Sequence, residues 1–152
     1  MFRFCFAPLT FALLAGCATS GPTGSEVLTK SIPTSTARLV IYRSSAVGLA
    51  VQPEYLVDGK AIASSQPNGF VLCHLRAGRH DVEIANLPFS NNLFGDGAER
   101  MTVNLRSGTA TYLAATPQMG VLTPGKITLK QVSESQGRAD TASFYQISSG
   151  CS

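Results

Sequence analysis

What this chain lacks narrows its reading first. No apolar stretch reaches the roughly 20 residues that a membrane-spanning helix needs. The longest, Phe4 to Leu14, has 11 residues and is interrupted by Pro8 and Thr10. Net charge is small, +3 over 152 residues, and no run of like charges appears. Nucleic-acid binding needs a concentrated basic face, so no nucleic-acid partner is expected. Catalytic landmarks are missing as well. No Gly-x-Ser-x-Gly elbow surrounds a serine, and the only histidines, His74 and His80, lack the spacing of a zinc-binding pair. Gly95-Asp96-Gly97 has neither the spacing of a dinucleotide fingerprint nor the lysine of a phosphate loop, and reads as a turn. No cofactor or metal is expected, and there is no internal repeat.

What is present begins at the N-terminus. Met1-Phe2-Arg3 is a short basic start, and Phe4 to Leu14 has the length of a signal-peptide core. Leu14-Ala15-Gly16-Cys17 follows. This tetrapeptide resembles the lipobox of bacterial lipoproteins: an aliphatic residue, two small residues that fit a protease cleft, then a cysteine whose thiolate takes a lipid. The resemblance implies cleavage between Gly16 and Cys17 and a diacylglyceryl thioether on Cys17, usually with a third acyl chain on the new amino terminus. Two or more chains give durable attachment where one anchors only marginally. The resemblance to enteric lipoproteins also implies that the non-acidic Ala18 favours the outer membrane. The expected location is therefore the cell envelope, lipid-anchored to the outer membrane and facing the periplasm. The expected first partner is membrane lipid, through acylated Cys17.

Ala18 to Thr36 has 13 Ser, Thr, Gly or Pro among its 19 residues. Such a segment has little to bury against its ordering entropy. It is expected to be a flexible linker, so that residues 17–36 form a lipidated tether with a random-coil reach of roughly 25 Å. Val27, Leu28 and Ile32 are its sizeable apolar residues, able to add a short strand or lie against the domain.

From Ala37 the composition shifts. Ala37 to Arg43 is rich in aliphatic and β-branched residues and predicts a strand. Tyr55 to Val57 and Lys60 to Ala63 flank Asp58-Gly59, the residue pair that supplies the positive φ angles of a type I′ hairpin. Gly69 to Leu75 and His80 to Ile84 flank a Gly78 turn and predict a second hairpin. Glu99 to Leu105 and Thr109 to Ala115, joined through Arg106-Ser107-Gly108, predict a third. Lys126 to Val132 alternates polar and apolar residues as a half-buried strand does. Ser143 to Ile147 supplies a last short strand, and the polar stretch Ser133 to Ala142 has room for one helical turn. Short strands with turn chemistry between them predict an all-β fold, a small antiparallel sandwich of about 7–8 strands over residues 37–152.

If Arg76 pairs with Arg79 across Ala77-Gly78, then His74 faces Asp81 in the second hairpin. Val71, Cys73, Leu75, His80, Val82 and Ile84 then share the core face, and Phe70, Leu72, His74, Asp81 and Glu83 the other. A one-residue slip reverses every assignment.

Ala37 to Arg43, Val57-Asp58-Gly59-Lys60 and Leu75-Arg76-Ala77-Gly78-Arg79-His80 together resemble a bacterial lipoprotein family known as domain of unknown function 2846, similar to the small β-sandwich domains called PEGA. The shared pattern is a strand ending in Tyr-Arg, a Val-Asp-Gly-Lys hairpin, and a Gly turn followed by a His-x-Val strand, over roughly residues 37–132. This chain has Ala77 where the family often has proline. The resemblance implies a β-sandwich lipoprotein and carries no activity with it.

With Cys5 removed in the signal and Cys17 acylated, Cys73 and Cys151 remain. In an oxidising compartment such a pair is a candidate disulfide. The alternative is two free thiols, with Cys73 a small core residue. His74 opposite Asp81 reads as a structural cross-strand pair, or alternatively as a base with its orienting carboxylate. Asn86 to Gly97 is long for a link between strands and carries Leu87, Phe89, Leu93 and Phe94. Thr116 to Gly125 carries Met119, Val121 and Leu122. Phe89, Leu93, Phe94 and Met119 form either a partner-binding surface or a cap over an open end of the sandwich. Three functional readings follow. The first is a non-catalytic binding or accessory module contacting an envelope protein or glycan, and it is not an enzyme. The others are a purely structural envelope lipoprotein and a hydrolase using His74 or His80.

Overall fold

A computed structural model describes residues 21–44, 52–85, 99–118 and 126–151. The signal cleavage site at Gly16 and Cys17 lies outside the described residues, as do Phe89, Leu93, Phe94 and Met119.

The fold is an all-β sandwich. Its strands are β1 (Ala37–Arg43), β2 (Glu54–Val57), β3 (Lys60–Ser64), β4 (Gly69–Leu75), β5 (Gly78–Ala85), β6 (Glu99–Leu105), β7 (Ala110–Gln118), β8 (Lys126–Val132) and β9 (Tyr145–Gln146). Two short helices, α1 (Gly24–Val27) and α2 (Glu134–Thr141), complete it. The strands form a five-stranded sheet in the order β8-β7-β1-β4-β9 and a four-stranded sheet in the order β3-β2-β5-β6. Most pairings are antiparallel, but β1 runs parallel to β7 and β4 parallel to β9.

Of the three expected hairpins, only the first forms within one sheet. Asp58 and Gly59 adopt φ angles of 51° and 79°, and β2 pairs antiparallel with β3. At the other two reversals the chain crosses between sheets. β4 pairs with β1 and β9, whereas β5 pairs with β2 and β6. Likewise β6 belongs to the four-stranded sheet and β7 to the five-stranded one. Crossing lets two consecutive apolar strands face each other across the core, where a hairpin would set them side by side. Val71 and Cys73 thus meet Val82 and Ile84 in the interior, with Leu75 packed at its margin. The expected core face is right in parity, but its strands lie in opposite layers. The His74–Asp81 pair is overturned for the same reason: His74 sits opposite Arg38, and Asp81 opposite Thr102.

β1 is the central strand and is buried along its whole length. Its Leu39 and Ile41 enter the inter-sheet core. Its Val40 and Tyr42 point to the other face, where they form a second apolar cluster with Phe70, Tyr112 and Leu28. α1 and α2 cover that face, making a third layer. α2 is mostly polar and docks through small residues and hydrogen bonds. Ser133 Oγ caps it by accepting from the Gln136 amide at 3.2 Å. Gly137 lies flat on the Tyr112 ring, and the Tyr42 hydroxyl donates to Asp140 at 2.5 Å.

Residues 21–36 correct the expectation of a free linker. The Gly24 amide donates to the Phe144 carbonyl at 3.0 Å, the Ser25 amide to Ala142 at 3.1 Å, and the Gln146 amide to Pro22 at 2.9 Å. Leu28 is buried under the five-stranded sheet, a gain of about 1.5–3 kcal/mol for such a side chain. The folded unit therefore includes residues 21–36 as well as the strands from Ala37 onward. Composition missed this because the anchors are distant in sequence. Arg38 on β1, only 1% exposed, donates to the carbonyls of Leu28 at 3.0 Å and Lys30 at 3.1 Å. Arg138 on α2 donates to the same Leu28 carbonyl at 2.7 Å.

Candidate functional site

The chain reversals after β2, β4 and β6 lie at one end of the sandwich, as the registers Val57↔Val82 and Gly78↔Leu105 require. A polar node forms there. The tight Asp58-Gly59 turn projects Asp58 toward β5, where its Oδ2 meets His80 Nδ1 at 2.7 Å. Asp58 Oδ1 accepts from the Asp81 amide at 3.0 Å. The other ring nitrogen of His80 lies 2.9 Å from the Arg76 carbonyl oxygen. Both of these partners are acceptors, so the fully protonated imidazolium satisfies the site best. Burial alone would lower the His80 pKa, but the hydrogen bonds to Asp58 and Arg76 and the charge of Asp58 outweigh it and raise the value. Burial would raise Asp58, but His80 and the Asp81 amide hold it below the usual carboxylate range. The node extends to β6, where Thr102 Oγ1 donates to Asp81 Oδ1 at 2.6 Å.

Beside this node lies a hollow of about 330 Å³ lined by Asp58, Lys60, Ile62, Leu75, Gly150 and Cys151. It exists because the C-terminal strap crosses the open side of the sandwich. The Ile147 amide bonds to the Phe70 carbonyl on β4 at 2.8 Å, and the Gly150 amide bonds to Ile62 on β3 at 2.7 Å. Cys151 is disulfide-bonded to Cys73 on β4, with Cα atoms 5.3 Å apart. Lys60 Nζ donates to the Gly150 carbonyl at 3.1 Å. The ammonium and the carboxylate in this hollow are thus tied to the fold, and its sulfur is oxidised. On another side a polar groove of about 460 Å³ is lined by Asn104, Arg106, Thr109, Ala110, Thr111 and Gln131. Its side chains donate and accept hydrogen bonds but include no carboxylate, imidazole or thiol.

His74 is remote from this node in chemistry as well as in layer. Its Nε2 accepts from Arg38 Nε at 3.4 Å, and burial together with the charge of Arg38 lowers its pKa. The pKa values of the two histidines are therefore shifted in opposite directions, and the two share no site. Among the described residues, no group of three or more His, Cys, Asp or Glu side chains is placed to hold a metal ion. The partnership that sequence reasoning missed is Asp58–His80. Its signal was the Asp-Gly turn, which fixes where Asp58 points once β2 pairs with β5.

The strands that flank residues 86–98 and 119–125 end together. Glu54 pairs with Ala85, Ile84 with Glu99, and Gln118 with Lys126. These ends share one pole of the sandwich with Arg43 and Gly69, opposite the Asp58–His80 node.

Over 100 residues the chain is 30% identical to an uncharacterized protein of Haemophilus influenzae, a match covering 66% of this chain and 54% of that protein. The chain thus spans about half the length of that relative. No family model matches the chain, and no solved structure matches it.

Proposed function

We propose that this chain is a lipid-anchored, non-catalytic accessory or binding module of the bacterial envelope, held on the outer membrane through Cys17 and facing the periplasm. The observation that carries the reading is the coincidence of an export signal ending in Leu14-Ala15-Gly16-Cys17 with a domain closed by the Cys73–Cys151 disulfide. Disulfides persist in oxidising compartments and are rare in the cytosol, so the bond supports export independently of the signal. The non-catalytic part rests on His80, whose two ring nitrogens are both engaged. A general base needs a free nitrogen within reach of substrate. The binding part rests on the pole where the strands flanking residues 86–98 and 119–125 end together. Phe89, Leu93, Phe94 and Met119 belong to the stretches that join these strand ends and are the candidate contacts for an envelope protein or glycan partner.

The test is membrane association and intact mass. Protein extracted from membranes should begin at Cys17 and carry the mass of two or three acyl chains. The Cys17→Ala variant should move to the soluble fraction. Unchanged membrane association of that variant would overturn the proposal. For the binding role, in-cell photocrosslinking from position 89 or 94 should capture one defined envelope component. Crosslinks to nothing specific would reduce the reading to a purely structural lipoprotein.

A further inference from the structure

The inward rows of the sandwich change character at the Asp58–His80 end. On β7 the side chains that enter the inter-sheet core are Leu113 and Ala115, and on β8 they are Ile127 and Leu129. With a period of two, the next inward positions toward this end are Thr111 and Gln131. They pair in register with the buried Leu39 and Leu113. Polar side chains thus stand in rows that are otherwise apolar. Across from them ends β6, the outer strand of the opposite sheet, which carries Asn104 and leads into Arg106. These four side chains, with Thr109 and Ala110, line the polar groove of about 460 Å³. The other flank of the sandwich is closed by the C-terminal strap, which bonds to β4 and β3.

The groups in this groove are not spent on the fold. Among the described residues, the side chains of Asn104, Arg106, Thr111 and Gln131 make no hydrogen bond or ion pair. That separates the groove from the hollow beside Lys60, where ammonium, carboxylate and sulfur are all engaged. No carboxylate lines the groove, and the acids of the neighbouring β5 are committed elsewhere. Asp81 accepts from Thr102, and Glu83 is paired with Arg100. Arg79, exposed on β5 and directly opposite Asn104, adds a second cation beside the groove. A cleft lined by one sign of charge concentrates ligands of the other sign.

We infer that this groove binds an acidic saccharide, with a sugar carboxylate on the Arg106 guanidinium and ring hydroxyls on Asn104, Thr111 and Gln131. A guanidinium presents a planar fork that matches a carboxylate bidentately. Asparagine and glutamine each hold donors and an acceptor side by side, and the threonine hydroxyl does both. A sugar hydroxyl likewise donates and accepts, so these groups meet it in either sense. An extended peptide added at a strand edge would need pockets for its side chains as well as main-chain bonds. Ala110 is the one apolar residue among the described lining. The volume falls in the range of about 300–1,000 Å³ typical of small-ligand sites. The groove lies at the pole opposite residues 86–98 and 119–125. It is therefore a second surface, separate from the contact proposed for those stretches and independent of the lipid on Cys17.

Isothermal titration of the full chain as isolated from bacteria, with its disulfide confirmed by mass, tests this with trigalacturonate as the probe. At neutral pH and physiological salt the binding should saturate. Maltotriose, a neutral trisaccharide, should bind roughly tenfold more weakly or worse, as loss of a charge-assisted hydrogen bond implies. Arg106→Gln should weaken trigalacturonate by roughly tenfold or more, and Gln131→Ala should weaken it by a smaller factor. Both side chains are exposed and without a partner in the fold, so both variants should keep the wild-type thermal midpoint. Arg79→Gln removes an equal charge beside the groove, where salt screens it, and should leave binding within about twofold of wild type. Absence of saturable binding would overturn the inference, and so would equal affinity for maltotriose. Equal losses in Arg79→Gln and Arg106→Gln would mean that bulk charge alone is read, and would overturn it too. Tighter binding of a triglutamate peptide than of trigalacturonate would make the groove a peptide site and overturn the saccharide assignment. None of these outcomes changes the acyl mass on Cys17 or the crosslinks from position 89, so the anchor and the loop contact stand or fall separately.

Discussion

Asp58 and His80 meet at 2.7 Å between a tight turn and the neighbouring strand of the same sheet. The carboxylate also takes the Asp81 amide, and the imidazole also bonds the Arg76 carbonyl. One side-chain contact thus ties the β2–β3 turn to the crossing between β4 and β5. Its chemistry resembles the base-and-orienter half of a catalytic dyad, but its geometry spends both ring nitrogens on structure.

That contact predicts a pH dependence. His80 has a raised folded pKa, so its contribution is complete below the ordinary histidine value and is lost as pH rises through the raised one. Asp58 has a lowered folded pKa, so its contribution is complete above its ordinary value and is lost as pH falls through the lowered one. Both hold together between roughly pH 4 and 6.5. The Asp58 side chain is 53% exposed, and solvent screening limits such a pair to about 1 kcal/mol. His74 works in the opposite sense, because its lowered pKa makes its protonation cost stability as pH falls below the ordinary histidine value. The informative quantity is therefore the difference between wild type and His80→Gln in urea unfolding. The variant should lose up to about 1 kcal/mol near pH 5.5 and clearly less near pH 9. An equal loss at both pH values would show that protonation of His80 contributes nothing.

A second expectation concerns Arg38. Its guanidinium is buried and donates to the carbonyls of Leu28 and Lys30. Hydrogen bonds from charged donors contribute about 1.5–3 kcal/mol each. Arg38→Met keeps most of the side-chain volume and removes the donors. It should lower stability by about 2–4 kcal/mol and free the segment around Lys30. Limited trypsin digestion reads this directly: the variant should be cut after Lys30 well before the domain core, while wild type resists. Identical cleavage kinetics would mean that burial of Leu28 alone holds the segment.

The sequence carried the strands but not their partners. β1, β4, β6 and β8 match their expected bounds closely, because apolar alternation and turn residues are local signals. The Asp58-Gly59 hairpin was legible for the same reason. The links around Gly78 and Gly108, with φ angles of 137° and 69°, use the same residue type to cross between sheets. Nothing local distinguishes a reversal within a sheet from a crossing between sheets. The third layer left one sign, the continuous apolar run Leu39–Tyr42 within β1, since a strand covered on both faces loses its alternation. The anchoring of residues 21–36 left one local sign, the apolar Val27, Leu28 and Ile32 in a polar stretch, of which Leu28 is buried; the clamp that holds it left none. It depends on Arg38 and Arg138, the latter 110 positions from its Leu28 partner.

Close approach makes Gly137 and Gly24 in the helical layer sensitive. A Cβ at Gly137 would collide with the Tyr112 ring, and one at Gly24 with the Thr141 carbonyl. At Gly150 the nearest atoms to an added Cβ lie 3.7 Å away, an ordinary contact. Overpacking a tight site costs about 1–3 kcal/mol. Gly137→Ala and Gly24→Ala should each lower the thermal midpoint by several degrees, and Gly150→Ala should leave it nearly unchanged. Similar midpoints for all three would mean that the helical layer shifts freely over the sheet.

The disulfide supports the sharpest stability expectation. Cys73 lies in the inter-sheet core, while Cys151 ends a strap that touches β3 and β4 through few other bonds. The bond closes a loop with a sequence separation of 78, long enough that constraint of the unfolded chain is worth about 4–5 kcal/mol before native-state costs. Loss of a native disulfide from a small secreted domain typically costs about 2–5 kcal/mol. The Cys73→Ala, Cys151→Ala double variant should fall in that range in urea unfolding and should expose the strap to carboxypeptidase. Periplasm-purified wild type should show no alkylatable thiol at either position until it is reduced. Two thiols in that preparation would break the link between this bond and an oxidising compartment, and would leave export resting on the N-terminal signal alone.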